Sequence, residues 1–569
     1  MAETSRQRDL NLLIGGEAGQ GLLTVGQLLA RAMVRAGYSA VVTQDYMSRI
    51  RGGHNTFTIR ASDRKLHAPR EKLDLLVALT AETLEYHRHE LSPTSLVVAE
   101  KRFNLEGPGI ISPPISELAE LRYHNIAMCG VIGNLIGLDR ETLTDMAREL
   151  FGSKKPEDLE KNLAAFSRAW EWTAGSGSHD FLKLPPAPGG GRRLYLQAHD
   201  ALALGALSAG LKFYSFYPMT PGTSLANALA HYQSTLPIVV EQAEDEIAAI
   251  NMALGASFAG APAMVGTSGG GFALMVEGVS LAGMTETPIV IVISQRPGPA
   301  TGLPTRTEQA DLEFVLHSGH GEFPRAIFAP GSPEQAFDLA RRALFLAEDS
   351  QGPVFILTDQ YLADTCREVE PFKLDGLPRV EPGGKHDGAA GEYRRFKVTT
   401  DGVSPRLIPG KSEALVVADS DEHTEDGHIT ESAEVRTAMV KKRGRKLELI
   451  RSRVLTPEFG GSDDPDLLLV CWGSTLGPAA EAVELLGRRG TKAGWLHFSQ
   501  VWPLVKKQFL PRLQKARRVV AVEGNFTGQF ARLIRRETGF ETSEKILRYD
   551  GRPVTPEFIL RGLEHGGKP

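Results

Sequence analysis

A cluster of acidic residues opens an alanine- and glycine-rich segment near the middle of the chain. The segment reads EQAEDEIAAINMALGASFAG (residues 241–260) and holds four acids in its first six residues. Acids at this position suit a solvated helix N-terminus, where they meet the positive end of the helix dipole. A single acid turned into a close-packed interface would instead have a raised pKa and could exchange protons. Taken alone, the segment favours the first interpretation.

Two further segments place reactive side chains on loops that follow predicted strands. In YPMTPGTSL (217–225) two prolines hold the backbone around Thr220, although a turn with a helix N-cap explains the same pattern. In VISQRPGPATGLPTRTEQADL (292–312) Arg296 and Thr305 lie on a loop shaped by proline and glycine. An arginine at the carboxyl end of a strand suits recognition of a carboxylate, and a long structural loop is the alternative.

A glycine-rich turn near the N-terminus could approach a phosphate. The sequence GGEAGQG (15–21) lies between a predicted strand and helix, and RIRGGHN (49–55) adds Arg51 to a flexible stretch. Glycines such as Gly19 and Gly21 let backbone N–H groups reach an anion at a helix N-terminus. The spacing matches neither the dinucleotide fingerprint nor a Walker A loop, so a tight strand-to-helix turn and an exposed loop remain alternatives.

The elements that would position these residues predict an α/β fold with three doubly wound domains. Strands alternate with helical patterns in three regions, which is typical of parallel sheets covered by helices. The predicted boundaries are residues 1–180, 195–367 and 465–569. Residues 368–464 are charged and poor in apolar runs, and we expect an irregular, solvated connector there.

Composition excludes several classes of function. The net charge of −5 argues against a nucleic-acid-binding protein, and no run of about 18 apolar residues could span a membrane. We found no signal-peptide pattern and therefore expect a cytoplasmic location. The three cysteines, Cys129, Cys366 and Cys471, are too far apart for a local cluster motif and are expected to be buried apolar side chains.

The order of the motifs resembles the 2-oxoacid:ferredoxin oxidoreductase family. YPMTPGTSL, EQAEDEIAAINMALGASFAG, TSGGG, QRPGPATGLPTRTEQADL and HSGHGEFPR follow one another as in its α subunit. GGEAGQG and RIRGGHN resemble the γ domain of the same family, fused here ahead of the α part. VAVEGNFTGQFARLIR, YDGRPVTPEFI and DEHTEDGHITE look like the 2-oxoglutarate branch. The resemblance covers nearly the whole chain.

The resemblance implies three domains and a partner chain. They are a γ domain with a role around coenzyme A, a pyrimidine-side thiamine diphosphate domain, and a transketolase C-terminal-like domain. A separate β subunit would hold Mg²⁺ with the diphosphate and a [4Fe–4S] cluster, and the assembly would be (αβ)₂. No metal site is expected in this chain, which lacks a cysteine cluster and a GDG-plus-Asn segment.

The resemblance also assigns roles to single residues. Glu246 matches the glutamate that binds N1′ of the aminopyrimidine, with Glu244 as the alternative because several acids lie together. Thr220 matches the threonine beside the cofactor and the substrate carboxylate. Arg296 matches the arginine that pairs with that carboxylate, and Thr305 is a further substrate candidate. For the γ domain, the residues that could meet the coenzyme A phosphates are Gly19, Gly21 and Arg51.

The reaction implied is oxidative decarboxylation of 2-oxoglutarate. Coenzyme A takes the acyl group, ferredoxin takes the electrons, and the low potential of ferredoxin would also permit the reverse carboxylation. One alternative is a pyruvate or branched-chain 2-oxoacid oxidoreductase. A second is a non-catalytic module that binds coenzyme A or a nucleotide, and a third, a simple dinucleotide dehydrogenase, is disfavoured by the absent fingerprint.

Overall fold

The computed structural model describes residues 9–48, 52–152, 155–177, 182–187, 191–383 and 393–566. The chain divides into two compact units. The first holds the chain up to Leu196 together with Thr365–Phe372 and Thr555–Glu557. The second holds Gln197–Asp364, Lys373–Val554 and the chain from Phe558.

The helices and strands run along the chain in three groups. The first group consists of β1 (Asp9–Glu17), α1 (Leu22–Arg35), β2 (Ser39–Asp45), β3 (His54–Ser62), β4 (Leu73–Ala78), α2 (Glu82–His87), β5 (Leu91–Ala99), β6 (Ile110–Ile111), α3 (Ile115–Leu118), α4 (His124–Leu135), α5 (Arg140–Phe151) and α6 (Pro156–Gly175). The second consists of β7 (Leu194–Gln197), α7 (Ala198–Ser208), β8 (Phe213–Phe216), α8 (Thr223–Tyr232), β9 (Val239–Gln242), α9 (Glu246–Phe258), β10 (Ala263–Thr267), α10 (Gly269–Met284), β11 (Ile289–Gln295), α11 (Leu312–His317), β12 (Ala326–Phe328), α12 (Pro333–Ser350), β13 (Pro353–Asp359), α13 (Gln360–Asp364) and β14 (Cys366–Val369). The third consists of α14 (Ala433–Ser452), β15 (Glu458–Gly461), β16 (Leu467–Trp472), α15 (Leu476–Arg488), β17 (Ala493–Phe498), β18 (Gln500–Trp502), α16 (Leu510–Lys515), β19 (Arg518–Glu523), α17 (Gln529–Thr538), β20 (Glu544–Leu547) and α18 (Pro556–Glu564).

The first unit is built on a mixed eight-stranded sheet with the order β6-β5-β4-β1-β3-β2-β14-β7. The sequence predicted a parallel sheet here, and that expectation is wrong for part of it. Strand β3 pairs antiparallel with both β1 and β2, and β14 pairs antiparallel with β2. Strand β3 was not predicted from the sequence, because the glycines of RIRGGHN obscure the alternation of the NTFTIRAS segment. The apolar face of α1 packs on this sheet in the core of the unit.

The second unit contains the other two predicted sheets. The seven-stranded sheet has the order β18-β12-β13-β11-β10-β8-β9, and the five-stranded sheet has the order β15-β17-β16-β19-β20. Both are parallel except at one edge, where β18 and β15 run antiparallel to their neighbours. Side chains of both sheets, such as Ile291 and Trp472, share one hydrophobic core. The predicted α/β class with three sheets is confirmed, while the predicted domain boundaries stay a prediction.

The predicted connector, residues 368–464, is not irregular throughout. It contains α14, a 20-residue helix with both charged and apolar side chains buried in the second unit. Lys442 and Lys446 of this helix both pair with the fully buried Glu286, the former at 2.6 Å between Nζ and Oε1. Arg395 donates a hydrogen bond to the backbone oxygen of Glu286 at 2.7 Å. The many charged residues of this segment predicted exposure to solvent. In the structure, the charged groups around Glu286 are buried and neutralise one another.

Two expectations from composition can be compared with the described part of the chain. Cys129, Cys366 and Cys471 are buried, as predicted. Among the described residues no helix has the length and apolar character needed to cross a membrane. The cytoplasmic location stays a prediction.

Candidate active site

The candidate residues of the second unit lie around the carboxyl ends of neighbouring parallel strands. The register pairs Thr267 of β10 with Ile293 of β11, and Gln295 of β11 with Asp359 of β13. The loops that leave these strand ends carry the motifs singled out above. Ligands of doubly wound sheets bind at this edge.

Glu246 begins helix α9 and is turned into the protein. Asp245 caps the helix by accepting a hydrogen bond from the N–H of Ala248 at 2.7 Å. The cap fixes the first turn, so Glu246 points inward with 2% of its surface exposed. Its Oε1 atom is buried and has no hydrogen-bond partner among the described residues. Burial raises the pKa of this carboxyl group, and the nearby Asp245 carboxylate raises it further.

The glycine-rich segment TSGGG, which leads from β10 into α10, provides the space that the Glu246 side chain fills. A Cβ atom added at Gly271 would lie 2.3 Å from Glu246 Oε1 and 2.2 Å from Thr267 Oγ1. The glycine at this position therefore lets the carboxyl group approach the first turn of α10. At Gly270, next to it in the helix, the nearest atom to an added Cβ is Ala300 O at 3.7 Å.

A hydrogen bond joins the threonine and arginine loops. Arg296 Nη1 donates to the backbone oxygen of Thr220 at 2.7 Å. The same YPMTPGT loop approaches β10, because a Cβ atom added at Gly222 would lie 3.1 Å from the backbone oxygen of Thr267. Thr267 also borders the Glu246 carboxyl group. The structure thus gathers Thr220, Glu246 and Arg296 at one end of β10 and β11.

Further carboxyl groups share this poorly solvated region. Burial raises the pKa of Asp311 to about 6, although the positive charge of Arg296 opposes the shift. Burial and the Asp311 carboxylate raise the pKa of Glu308 to about 7. Asp311 Oδ2 has no hydrogen-bond partner within the described residues. The Arg296 guanidinium group is held at Nη1 by the Thr220 backbone oxygen, and its other N–H groups suit charge-assisted hydrogen bonds to an anion.

The other predicted site residues are less closely joined to this group. Glu244 is exposed, in contrast to the buried Glu246. Thr305 is half-buried, and no hydrogen bond in the described structure joins its side chain to Thr220 or Arg296.

The phosphate candidates belong to the first unit. Gly21 adopts a left-handed conformation (φ 75°) directly before α1. Gly19 also has a positive φ of 96°, and open space lies where its Cβ would be. Arg51 lies outside the described residues.

Sequence reasoning missed two residues of the site. Gly271 was not singled out, because no local pattern shows which glycine faces a side chain from another helix. Asp311 ends the arginine loop, and its backbone N–H donates to Gln295 Oε1 at 3.0 Å. Asp311 directly precedes the apolar start of α11, which is a typical position for a helix N-cap. The sequence therefore does not show that its carboxyl group is buried.

Three family models match successive parts of the chain. Residues 204–442 match the family model "Pyruvate flavodoxin/ferredoxin oxidoreductase, thiamine diP-bdg". Residues 11–172 match "Pyruvate ferredoxin/flavodoxin oxidoreductase". Residues 465–559 match "Pyruvate:ferredoxin oxidoreductase core domain II".

Similar proteins extend over nearly the whole chain. The 2-oxoacid:ferredoxin oxidoreductase subunit alpha of a Sulfolobus species is 32% identical, with 98% of each chain covered. The 2-oxoglutarate oxidoreductase subunit KorA of Mycobacterium tuberculosis is 29% identical over 94% of this chain and 88% of that one. A solved structure of 2-oxoglutarate:ferredoxin oxidoreductase from Magnetococcus marinus is 30% identical, covers 99% of this chain and 100% of that one, and has a TM-score of 0.93. The chain belongs to the alpha subunits of the 2-oxoacid:ferredoxin oxidoreductases and contains their thiamine-diphosphate-binding domain.

Proposed function

We propose that this chain is the α-type subunit of a 2-oxoglutarate:ferredoxin oxidoreductase. The reaction would convert 2-oxoglutarate and coenzyme A to succinyl-CoA, CO₂ and a proton while reducing two ferredoxins by one electron each. The names of relatives support this substrate, since those of M. tuberculosis and Methanothermobacter marburgensis refer to 2-oxoglutarate. The Magnetococcus structure holds 2-oxoglutarate, coenzyme A and succinyl-CoA.

The observation that carries the proposal is the buried Oε1 atom of Glu246, which has no hydrogen-bond partner in the part of the chain that the structure describes. A buried carboxyl group without a partner is costly, so a ligand that supplies one is expected. A ring nitrogen such as N1′ of an aminopyrimidine fits, because a carboxyl group of raised pKa can share a proton with it. When bound, thiamine diphosphate supplies a nucleophilic carbon and an electron sink for decarboxylation. Glu246 would hold the proton at N1′ in the tautomer that this chemistry needs.

Thr220 and Arg296 would bind the 2-oxoacid. The guanidinium group is anchored at Nη1 by the Thr220 backbone oxygen, and its remaining donors suit a carboxylate. The Thr220 hydroxyl group would donate to the same carboxylate or its 2-oxo oxygen. Thr305 would contact the substrate from further along the loop.

The partner would be a β subunit that covers the apolar faces of α9 and α10. On these helices Ile247 is 49%, Met252 42% and Leu274 51% exposed. Apolar side chains exposed together on adjacent helices are typical of an interface. The β subunit would supply Mg²⁺, the diphosphate site and the [4Fe–4S] cluster, in an (αβ)₂ assembly located in the cytoplasm.

Coenzyme A would be bound by the first unit. The N-terminus of α1 offers backbone N–H groups and the positive end of the helix dipole to a phosphate. The open space at Gly19 and the left-handed Gly21 allow the ligand to approach the backbone there. Arg51 would add a positive charge.

The test is Glu246→Gln in the complex copurified with its partner. We expect 2-oxoacid-dependent dye reduction to fall by about 100-fold or more, because glutamine cannot share the proton in the same way. Glu244→Gln is the matched control, since Glu244 is exposed two residues away, and it should retain activity. If no iron-bearing partner copurifies and neither the wild type nor Glu246→Gln shows 2-oxoacid-dependent dye reduction, the alternative of a non-catalytic binding module is favoured.

The substrate is tested separately by turnover of the wild-type complex. Initial rates with 2-oxoglutarate, pyruvate and a branched-chain 2-oxoacid give three values of kcat/KM. The proposal expects the highest for 2-oxoglutarate. Preference for pyruvate or a branched-chain acid would overturn the substrate while leaving the cofactor chemistry intact.

A further inference from the structure

The arginine loop is long and irregular, so something outside it must hold its shape. It runs from Arg296 to Asp311, between the end of β11 and the start of α11. A loop of this length loses much conformational entropy when it is ordered. Its Arg296 end is anchored by Thr220, whereas its far end approaches the five-stranded sheet of the same unit.

Gln309 attaches the far end of the loop to the five-stranded sheet region through hydrogen bonds of both its backbone and its side chain. Its N–H donates to the backbone oxygen of Gly524 at 2.6 Å, and its Nε2 donates to that of Trp472 at 2.9 Å. Its Oε1 accepts from the N–H of Gly524 at 2.8 Å. Asn525 Nδ2 donates to the Gln309 backbone oxygen at 3.2 Å. Gln309 is 2% exposed, so these hydrogen bonds are protected from water.

The residues that bind Gln309 are themselves held by a buried carboxylate, that of Glu523. Glu523 ends β19 and accepts hydrogen bonds from Trp472 Nε1, Asn525 Nδ2 and the N–H groups of Phe530 and Ala531, at 2.9 to 3.1 Å. The last two lie in the first turn of α17, where a carboxylate also meets the helix dipole.

A second glutamine continues the attachment toward α11. Gln529 Nε2 donates to the backbone oxygen of Ala310 at 2.7 Å, and its Oε1 accepts from the N–H of Glu313 at 2.9 Å. Two glycines leave room for the Gln309 side chain. A Cβ atom added at Gly473 would lie 2.9 Å from Gln309 Nε2, and one added at Gly524 would lie 3.3 Å from Gln309 Cγ and Oε1.

We propose that Gln309, bound by Gly524 and Asn525 and supported through Asn525 by Glu523, is a positioning residue that sets the arginine loop for the 2-oxoacid. We call these four residues the glutamine clamp. The inference rests on the proposed function and adds a role for the EGN segment of the five-stranded sheet. No hydrogen bond in the described structure joins that segment to Arg296 or Thr220, yet the segment binds the loop that carries Arg296.

The mechanism of the clamp is geometric. Substrate affinity depends on where the guanidinium group meets the carboxylate, and a displacement of about 1 Å in a positioning element can cost about 100-fold in rate. The clamp should therefore act on the KM for the 2-oxoacid and on kcat/KM, and not on the affinity for coenzyme A. A merely structural role would lower stability without this selectivity.

The main experiment uses Gln309→Met in the copurified complex. Methionine keeps the side-chain volume but removes both side-chain hydrogen bonds. We expect about a tenfold rise in the KM for the 2-oxoacid, with the KM for coenzyme A and the thiamine content unchanged. Gln351→Met is the matched control, because Gln351 is also buried and makes two side-chain hydrogen bonds, to Ser404 O and Arg395, outside the loop.

A second variant keeps the test decisive if Gln309→Met does not assemble. Gln529→Met removes the bonds to Ala310 and Glu313 from a half-buried position, and a smaller rise in the same KM, about threefold, is expected. The clamp is refuted if Gln309→Met and Gln529→Met lower the melting temperature as much as Gln351→Met does but leave the KM for the 2-oxoacid unchanged. Absence of 2-oxoacid turnover in the wild-type complex instead refutes the proposed function, so the two failures are distinguishable.

Discussion

Adding a single methyl group at Gly271 tests whether the exact position of the Glu246 carboxyl group matters. In Gly271→Ala the new Cβ would lie 2.3 Å from Glu246 Oε1. Ordinary contact requires roughly 3.4 Å, so the oxygen must withdraw by about 1 Å. A shift of that size in a catalytic group costs about 100-fold in rate, or about 2.7 kcal/mol of transition-state stabilisation. We therefore expect 2-oxoacid-dependent turnover to fall by about two orders of magnitude.

The assay is 2-oxoacid-dependent dye reduction by the copurified complex, with thiamine content measured on the same samples. Alanine is a better helix former than glycine by up to about 1 kcal/mol, so α10 itself should not be weakened. Gly270→Ala is the control, because its new Cβ has no atom closer than 3.7 Å within the second unit. Wild-type turnover in Gly271→Ala, or an equal loss in both variants, would refute the reasoning that Glu246 acts from this position.

Three further perturbations have defined outcomes. Arg296→Lys keeps the charge but loses the planar guanidinium group, so the KM for the 2-oxoacid should rise by about tenfold while the KM for coenzyme A stays constant in steady-state kinetics. Glu286→Gln leaves Lys442 and Lys446 buried without their carboxylate, and unfolding by urea should show a loss of about 3 kcal/mol or more. Asp311→Asn should flatten part of the pH dependence of stability: burial raises the Asp311 pKa to about 6, so the folded state binds the proton more tightly than the unfolded state and the wild type loses stability as pH rises from about 4 to about 6. Melting temperatures recorded between pH 4 and 8 should show that the variant becomes more stable relative to the wild type as pH rises from about 4 to about 6. Parallel curves for the two proteins would contradict the raised pKa of Asp311.

Strand periodicity made most of the second unit predictable. The apolar runs TPIVIVISQ and PVFILTD appear as β11 and β13, and DLLLVCWGS as β16. A central parallel strand is buried on both faces and is therefore apolar throughout, which a sequence shows directly. The edge strand β9 was missed, because VVEQ is short and runs into the acidic cluster.

The connector and the site needed tertiary information. Helix α14 is rich in lysine and arginine, and composition alone cannot distinguish a solvated helix from one whose charges are neutralised by a distant Glu286. Motif order singled out Thr220, Glu246 and Arg296, which lie at neighbouring strand ends. Their supports, such as Gly271 and Gln309, could not be predicted, because they depend on which residues from remote segments meet in space.

The short strand β14 has a consequence for dividing this protein into fragments. It belongs to the first unit although it follows the second α/β region in sequence, and it pairs with β2 through Cys366 and Arg367. Glu368 receives hydrogen bonds from the Ser39 hydroxyl group and the Ala40 N–H. A recombinant fragment that stops at Leu196 would leave β2 as an open edge, and unpaired strand edges promote aggregation. A soluble N-terminal fragment therefore calls for a graft of residues 365–372, and a natural gene split at this point would require a substitute for that strand.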